Sequence, residues 1–409
     1  MRSWIYIPAL ALLLLSNAYA LDLKDATTNS SLAKPFTSTY KDWKYSREII
    51  IFENSGKTLT DYQVLIELDS SNFDFSKAKP DGSDIRFTDL KGNELPYWTE
   101  EWSYGKARIW VKIPYIPANG ETKIRMYYGN PNAVSKSNGD AVFELFDDFN
   151  DNKIDTNKWI PSHGFVEEGS VLKKLILLKE GGIGIESAKS FKYPLVIDLK
   201  LMSKTSVYSK SWSFSVYWGK GNVHGEKDMQ GYATGQKGDG RKIIRRYNLS
   251  GKATDYNIFY GTPIKKNVWY SYELIIDSNK QIYKIGDEVV TLKTSPPIDR
   301  GIIRLGGQAS EAVVYFDDVR VRKYTYPEPI VIVQAESSTQ IKQTSQELAG
   351  TSSNTSTANY VLVVALMLML TTIVGSSMYR RWENKKVKIL KEEIERKIEE
   401  IEEIMKGRG

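Results

Sequence analysis

Seven Asp and Asn side chains crowd between aromatic residues in FELFDDFNDNKIDTNKW, residues 143–159 of a 409-residue chain. Carboxylate and amide oxygens are what a hard cation takes as ligands, so this stretch is a candidate calcium site. The donors would be Asp147, Asp148 and Asn150, joined by Asp317 and Asp318 from the later stretch YFDDVRV. The plainer reading is a turn. Asp and Asn side chains cap their own backbone in turns, and the spacing is not that of an EF-hand loop. The expected cofactor is therefore none, apart from such a structural calcium.

Other chemistry finds little to work with. There is no cysteine, and His163 and His224 are the only histidines, in separate segments without metal-ligand spacing. No Gly-x-Ser-x-Gly elbow, Walker loop or dinucleotide fingerprint occurs. A glycosidase needs two carboxylates flanking a cleft. The nearest string, Glu226-Lys227-Asp228-Met229-Gln230-Gly231, lacks a final acid, and Glu100 and Glu101 are adjacent, so on a strand they point to opposite faces. No catalytic residue is assigned, and a non-enzyme is expected. Residues 215–248 are instead rich in glycine and carry Trp218, Tyr232 and Tyr247 beside Arg241 and Arg245. Flat rings stack on sugars and guanidinium groups hold oxygens, so these five are the candidate ligand-binding set. The alternative is that the rings fill a core.

The elements that must position these residues read as strands. DYQVLIELD sets Tyr62, Val64, Ile66 and Leu68 on one face against Gln63, Glu67 and Asp69. DIRFTD, ARIWVKIP and ETKIRMYYG alternate in the same way, with Gly, Pro and Asn turn signals between them. A second set runs through YPLVIDLKL, WSFSVYW, KIIRRYN, NVWYSYELIID, GIIRLGG and EAVVYFDDVRVRKY. QIYKIGDEVV reads as a hairpin turning at Gly286-Asp287. The fold class is all-β. Two antiparallel β-sandwich domains are expected, at residues 41–132 and 141–324, the second a jelly roll.

The two ends have other periods. Residues 1–20 have a short apolar run and an Ala18-Tyr19-Ala20 pattern, the form of a signal peptide. Residues 21–40 read as a flexible leader and 325–358 as a Ser/Thr-rich stalk. Residues 360–379 carry no charge and are long enough to cross a bilayer as a helix, with Arg380, Arg381, Lys385, Lys386 and Lys388 behind them. That places residues 380–409 in the cytoplasm as an amphipathic helix. Its stripe of Val387, Leu390, Ile394 and Ile401 suits self-association or a cytoplasmic partner. With 56 basic and 50 acidic residues, net charge +6, the chain is too balanced for a nucleic-acid protein.

WKYSREIII, YQVLIELD, GSDIRFTD, ELPYWTE, ARIWVKIP and KIRMYYGNPNA together resemble an uncharacterised family of prokaryotic surface domains. FDDFNDNKIDTNKW resembles the opening strand of a concanavalin-like, laminin-G-type jelly roll, and YFDDVRVRKY its closing strand. The two ends predict a single-pass type I protein with its N-terminal domains outside, and the resemblance implies a prokaryotic cell surface; an archaeal one is the expectation. The expected role is adhesion, by binding a glycan or an envelope protein through the jelly roll. The rivals are a polysaccharide-active glycoside hydrolase and an envelope scaffold or transport accessory working through the cytoplasmic helix.

Overall fold

The computed structural model describes residues 40–161, 164–175, 183–205, 212–221, 229–307 and 312–338. The expected signal peptide, the membrane span at 360–379 and the stripe of Val387, Leu390, Ile394 and Ile401 lie outside the described residues. Among the described residues no helix is long and apolar enough to cross a membrane.

The first six strands are β1 (Tyr45–Phe52), β2 (Leu59–Asp69), β3 (Arg86–Asp89), β4 (Tyr97–Ser103), β5 (Lys106–Ile116) and β6 (Glu121–Tyr128). A short helix, α1 (Gly139–Val142), leads into the second set. That set is β7 (Leu145–Asp147), β8 (Trp159–Ile160), β9 (Phe165–Glu167), β10 (Leu172–Lys174), β11 (Ile183–Ser187), β12 (Phe191–Lys192), β13 (Leu195–Ser203) and β14 (Trp212–Lys220). It continues with β15 (Gln230–Lys237), β16 (Arg241–Tyr247), β17 (Ala253–Tyr260), β18 (Trp269–Ile276), β19 (Gln281–Ile285), β20 (Glu288–Leu292), β21 (Arg300–Gly307) and β22 (Val314–Lys323). A last strand, β23 (Ile330–Ser338), follows.

The first sandwich packs the sheet β23-β1-β6-β3 on the sheet β2-β5-β4. Tyr62, Val64, Ile66 and Leu68 face its core with Ile49, Ile51, Phe87 and Met126, as the alternation predicts. The expected stalk at 325–358 is corrected at its start. β23 pairs with β1 along its length and sends Val331 and Val333 onto that core. Four β-branched residues in a row, Ile-Val-Ile-Val, favour a strand over a linker. The second sandwich is thus inserted between β6 and β23 of the first.

The second sandwich has the sheets β20-β19-β18-β13-β22-β10-β9 and β17-β16-β15-β14-β21-β11-β8, with β7 on β22 and β12 on β21. Between them lies a core of Phe149, Trp159, Leu199, Phe214, Trp218, Tyr232, Tyr272 and Phe316, among others. The hairpin at Gly286 forms as expected, with Gly286 at positive φ and Ile285 opposite Glu288. Of the glycine-rich stretch, residues 222–228 lie outside the described residues. Its later part supplies strands β15 and β16, and Gly231 sits at φ +138 where a Cβ would come within 2.1 Å of the Trp218 carbonyl oxygen.

The two sandwiches share one compact unit that ends at Thr339. Part of the nominal outer face of β2-β5-β4 is covered, by β22, β7 and α1. Gln63 donates to the Lys323 carbonyl at 2.8 Å and accepts from its amide at 3.1 Å. Trp98, Trp110, Val142, Phe143 and Phe146 form a separate apolar cluster at this joint. The Arg320 guanidinium lies 5.3 Å from the Trp98 ring, 5.6 Å from Trp110 and 5.8 Å from Phe143, and bonds Glu100 at 2.6 Å. Beside it, Arg322 bonds Asp198, Glu273 and Glu328. Buried arginine charges are tolerated here because each meets carboxylates and ring faces.

Candidate functional site

Strands β14, β15 and β16 turn alternate side chains to opposite faces, and this decides which of the expected ligand residues can meet a ligand. Trp218 and Tyr232 point inward. Both are 0% exposed and stack on each other in the core, with ring centroids 6.4 Å apart. The Trp218 indole donates to the Phe191 carbonyl, and the Tyr232 hydroxyl meets Thr294. As stacking platforms these two are corrected: they are packing residues. Tyr247 points outward but is buried in a small cluster with Tyr217, Met229 and Ala233.

Arg241 and Arg245 do lie on the outer face. Arg245 sits 5.3 Å from the Trp212 ring, and Lys237 5.9 Å from the same ring. Arg241 is paired with Asp239 at 2.7 Å. Opposite them in register on β17 stand two residues that sequence reasoning missed, Tyr256 opposite Arg245 and Tyr260 opposite Arg241. They are 65% and 76% exposed. The parity is fixed by Asn257, whose side chain turns the other way to bond the Thr291 carbonyl. The signal for Tyr256 and Tyr260 was present in ATDYNIFY, where an aromatic recurs every fourth residue on one strand face.

Further along the same face, Arg304 bonds Glu186 through Nε at 3.1 Å and Nη2 at 2.6 Å, and Nη2 also meets the Gly221 carbonyl. Its guanidinium lies 5.2 Å from the Tyr217 ring. Arg304 is 3% exposed, and its Nη1 has no partner among the described residues. The strands of this sheet contribute two carboxylates, Glu186 and Asp255. Glu186 is bound by Arg304 and Asp255 faces Arg246, so the strands present no pair of free carboxylates across a cleft. Of the acid-bearing string, Glu226 and Asp228 lie outside the described residues, while Gln230 and Gly231 open β15. Glu100 and Glu101 do not part to opposite faces: a bulge between Thr99 and Glu101 sets Glu101 opposite Arg108, the residue that also bonds Glu100, and the two acids are held by Arg320 and Lys106 respectively.

The calcium set is brought close in sequence terms, since β7 pairs with β22 and Asp147 stands opposite Val319. Three of its donors, Asp147, Asp317 and Asp318, are turned to protein groups. Asp147 accepts from the Trp159 indole at 2.7 Å and the Phe149 amide at 3.1 Å. Asp318 bonds Lys200 at 2.5 Å, and Asp317 accepts the Asp318 amide. Burial, then the neighbouring Asp318, pushes Asp317 up to about 6. Burial likewise raises Asp147, against the pull of Phe149 and Trp159. Among the described residues no group of three or more His, Cys, Asp or Glu could hold a metal ion. Within the stretch 143–159, Phe149 and Trp159 plug the second core, and Asp151 caps Lys153. Phe146 packs at the joint.

A second concavity of about 640 Å³ opens at one end of the first sandwich, lined by Arg47, Asn72, Phe75, Tyr104 and Glu336 among others. Its charged groups are already engaged, Arg47 with Tyr128 and the Asn72 carbonyl, Glu336 with Lys77 and Tyr128.

Residues 81–162 match a domain of unknown function, DUF2341. This agrees with the resemblance to an uncharacterised domain, and the match crosses the joint from β3 to β8. An uncharacterized protein of Methanocaldococcus jannaschii is 26% identical over 177 residues, 38% of this chain and 31% of that relative. The chain therefore spans about a third of that relative's length. A prokaryotic β-1,3-1,4-glucanase (lichenase) from a mouse hindgut metagenome is similar at 13% identity and TM-score 0.34, over 44% of this chain and 98% of the other. The carbohydrate-binding module CBM66 of Bacillus subtilis is similar at 13% identity and TM-score 0.31, over 41% and 96%. At these scores neither likeness bears on chemistry; the fold stands on the strand order given above.

Proposed function

We propose that this chain is a surface binding protein that takes a glycan or glycan-bearing envelope component on the outer face of β14–β17. The observation that carries this reading is the exposed row in which Tyr256 and Tyr260 stand opposite Arg245 and Arg241. Exposed aromatic rings clustered on one face mark interaction sites more than isolated ones do. The rings offer flat apolar platforms to pyranose faces, and the guanidinium groups offer donors to hydroxyl or carboxylate oxygens. Binding is preferred to hydrolysis because Glu186, the carboxylate that the strands place on this face, is held by Arg304. Membrane anchoring through residues 360–379 is part of the same reading and rests on the sequence pattern alone.

The test is a glycan array probed with the full chain in mild detergent, with and without calcium. Binding to a glycan class that falls at least tenfold in Tyr256→Ala and Tyr260→Ala, with the melting temperature unchanged, supports the reading. Turnover of a bound glycan, lost on Glu or Asp substitution, would replace it with the hydrolase. Absence of any glycan binding together with an envelope-protein partner would replace it with the scaffold.

A further inference from the structure

We propose that β17 is a self-pairing edge, through which two copies of this chain join their outer faces into one continuous sheet. β17 ends its sheet, pairs on one side with β16, and has no strand on the other among the described residues. Its eight residues are mostly exposed. Soluble sheets usually blunt such edges with Lys, Pro, a bulge or a short strand. From Tyr256 to Tyr260 the strand has no charge and no proline, and its register irregularity falls earlier, opposite Arg246 and Tyr247. Of the other long edges, β23 is broken by a bulge and its Gln334 carbonyl is taken by Arg47, while β2 carries Asp61, Glu67 and Asp69.

The occupant is set by self-complementarity. An antiparallel pair of β17 strands on a two-fold axis at Ile258 puts Ile258 against itself and Tyr256 against Tyr260 of the other copy. Both pairs lie on the outer face, so an apolar row runs unbroken across the axis. Asp255, the strand's single charge, then lands opposite Gly261 of the other copy. The two Asp255 carboxylates are kept about 20 Å apart along the strands, at roughly 3.3 Å per residue. No like charges meet. The two-fold also sets the second copy's Tyr256 and Tyr260 beside the first copy's, doubling the aromatic row flanked by Arg241 and Arg245. The pairing itself does not depend on whether that face binds a glycan.

The chain has no cysteine, so a single introduced thiol reports the contact cleanly. Paired residues on an antiparallel axis have Cα atoms about 4.5–5.5 Å apart, within disulfide reach. In the full chain in mild detergent, Ile258→Cys is expected to form a covalent dimer on mild oxidation, and Val289→Cys on the β20 edge is not. Ile258→Lys and Ile258→Glu should each halve the mass seen by light scattering while leaving circular dichroism unchanged, and mixing the two should restore the dimer. A parent chain that is monomeric at micromolar concentration overturns the proposal. So does failure of the mixed charges to pair where each variant alone is folded.

Discussion

Removing the Arg320 guanidinium should unlatch the two sandwiches. Arg320 is 8% exposed, its Nη2 lies 2.6 Å from the 15%-exposed Glu100, and three aromatic rings surround its charge. Breaking a buried ion pair by deleting one partner costs about 3–5 kcal/mol. Glu100 keeps Arg108 at 3.2 Å and the Trp110 indole at 2.9 Å, which favours the lower end. Each desolvated cation–ring contact adds on the order of 0.5–2 kcal/mol, and a Met thioether regains about 0.3–1.5 kcal/mol against the same rings. Arg320→Met is thus expected to lose ~3 kcal/mol, a fall of about 4–6 °C in Tm for a unit of roughly 300 residues. Trp98 and Trp110 flank Arg320, so the assigned fluorine resonances of these two among the chain's 10 tryptophans, in 5-fluorotryptophan-labelled protein, report the joint while far-ultraviolet circular dichroism reports both sheets. Urea transitions by the two probes should coincide in the parent and separate in the variant. A double-mutant cycle with Glu100→Gln should return a coupling of about 1.5–3 kcal/mol. Burial pushes the Glu100 carboxyl up, but Arg320, Trp110 and Arg108 outweigh it and hold it below its ordinary value. Its contribution is therefore present above the unfolded carboxyl range and lost as pH falls through the lowered value, so the gap between parent and variant should close below about pH 4. A variant that melts within about 1 °C of the parent, with coincident transitions, would refute the reasoning.

Three further outcomes are expected. Burial, then the neighbouring Asp151 carboxyl, pushes Glu167 up to about 7, so the folded state holds this proton more tightly than the unfolded one; stability is lost as pH rises from about 4 to 7, and Glu167→Gln should raise Tm at pH 8 but hardly at pH 4. Gly231→Ala should destabilise by more than about 2 kcal/mol in chemical denaturation, because positive φ and the Trp218 carbonyl oxygen at 2.1 Å both oppose a Cβ. Trp218→Ala should cost about 3–5 kcal/mol while Tyr256→Ala stays within about 0.5 kcal/mol, the ordering that separates core from surface rings.

Much of the architecture was legible because period-2 alternation is a local signal. Tyr62, Val64, Ile66 and Leu68 pointed at a core, and they face one. What alternation cannot say is what covers the other face. Gln63, Trp110 and Arg108 read as solvent-facing, yet Gln63 and Trp110 are buried by contacts with residues 143 and 320–323, far away in sequence. β23 was hidden for the same reason, since its partner β1 lies nearly three hundred residues earlier. Residue type led to strands of one sheet, and Arg241 and Arg245 lie on its outer face. Trp218 and Tyr232 were chosen by type without parity, and parity sends them inward. Tyr256 and Tyr260 were passed over because β17 was not read as a strand.

The return of β23 to the first sandwich has a consequence for biosynthesis. A ribosome working from the N-terminus finishes β22 at Lys323 before it reaches Ile330. The later-encoded sandwich can therefore complete itself while the earlier one still waits with β1 unpaired on one side. Maturation of the first sandwich is the closing step, and a polypeptide stalled or clipped before Ile330 would leave it with an open flank.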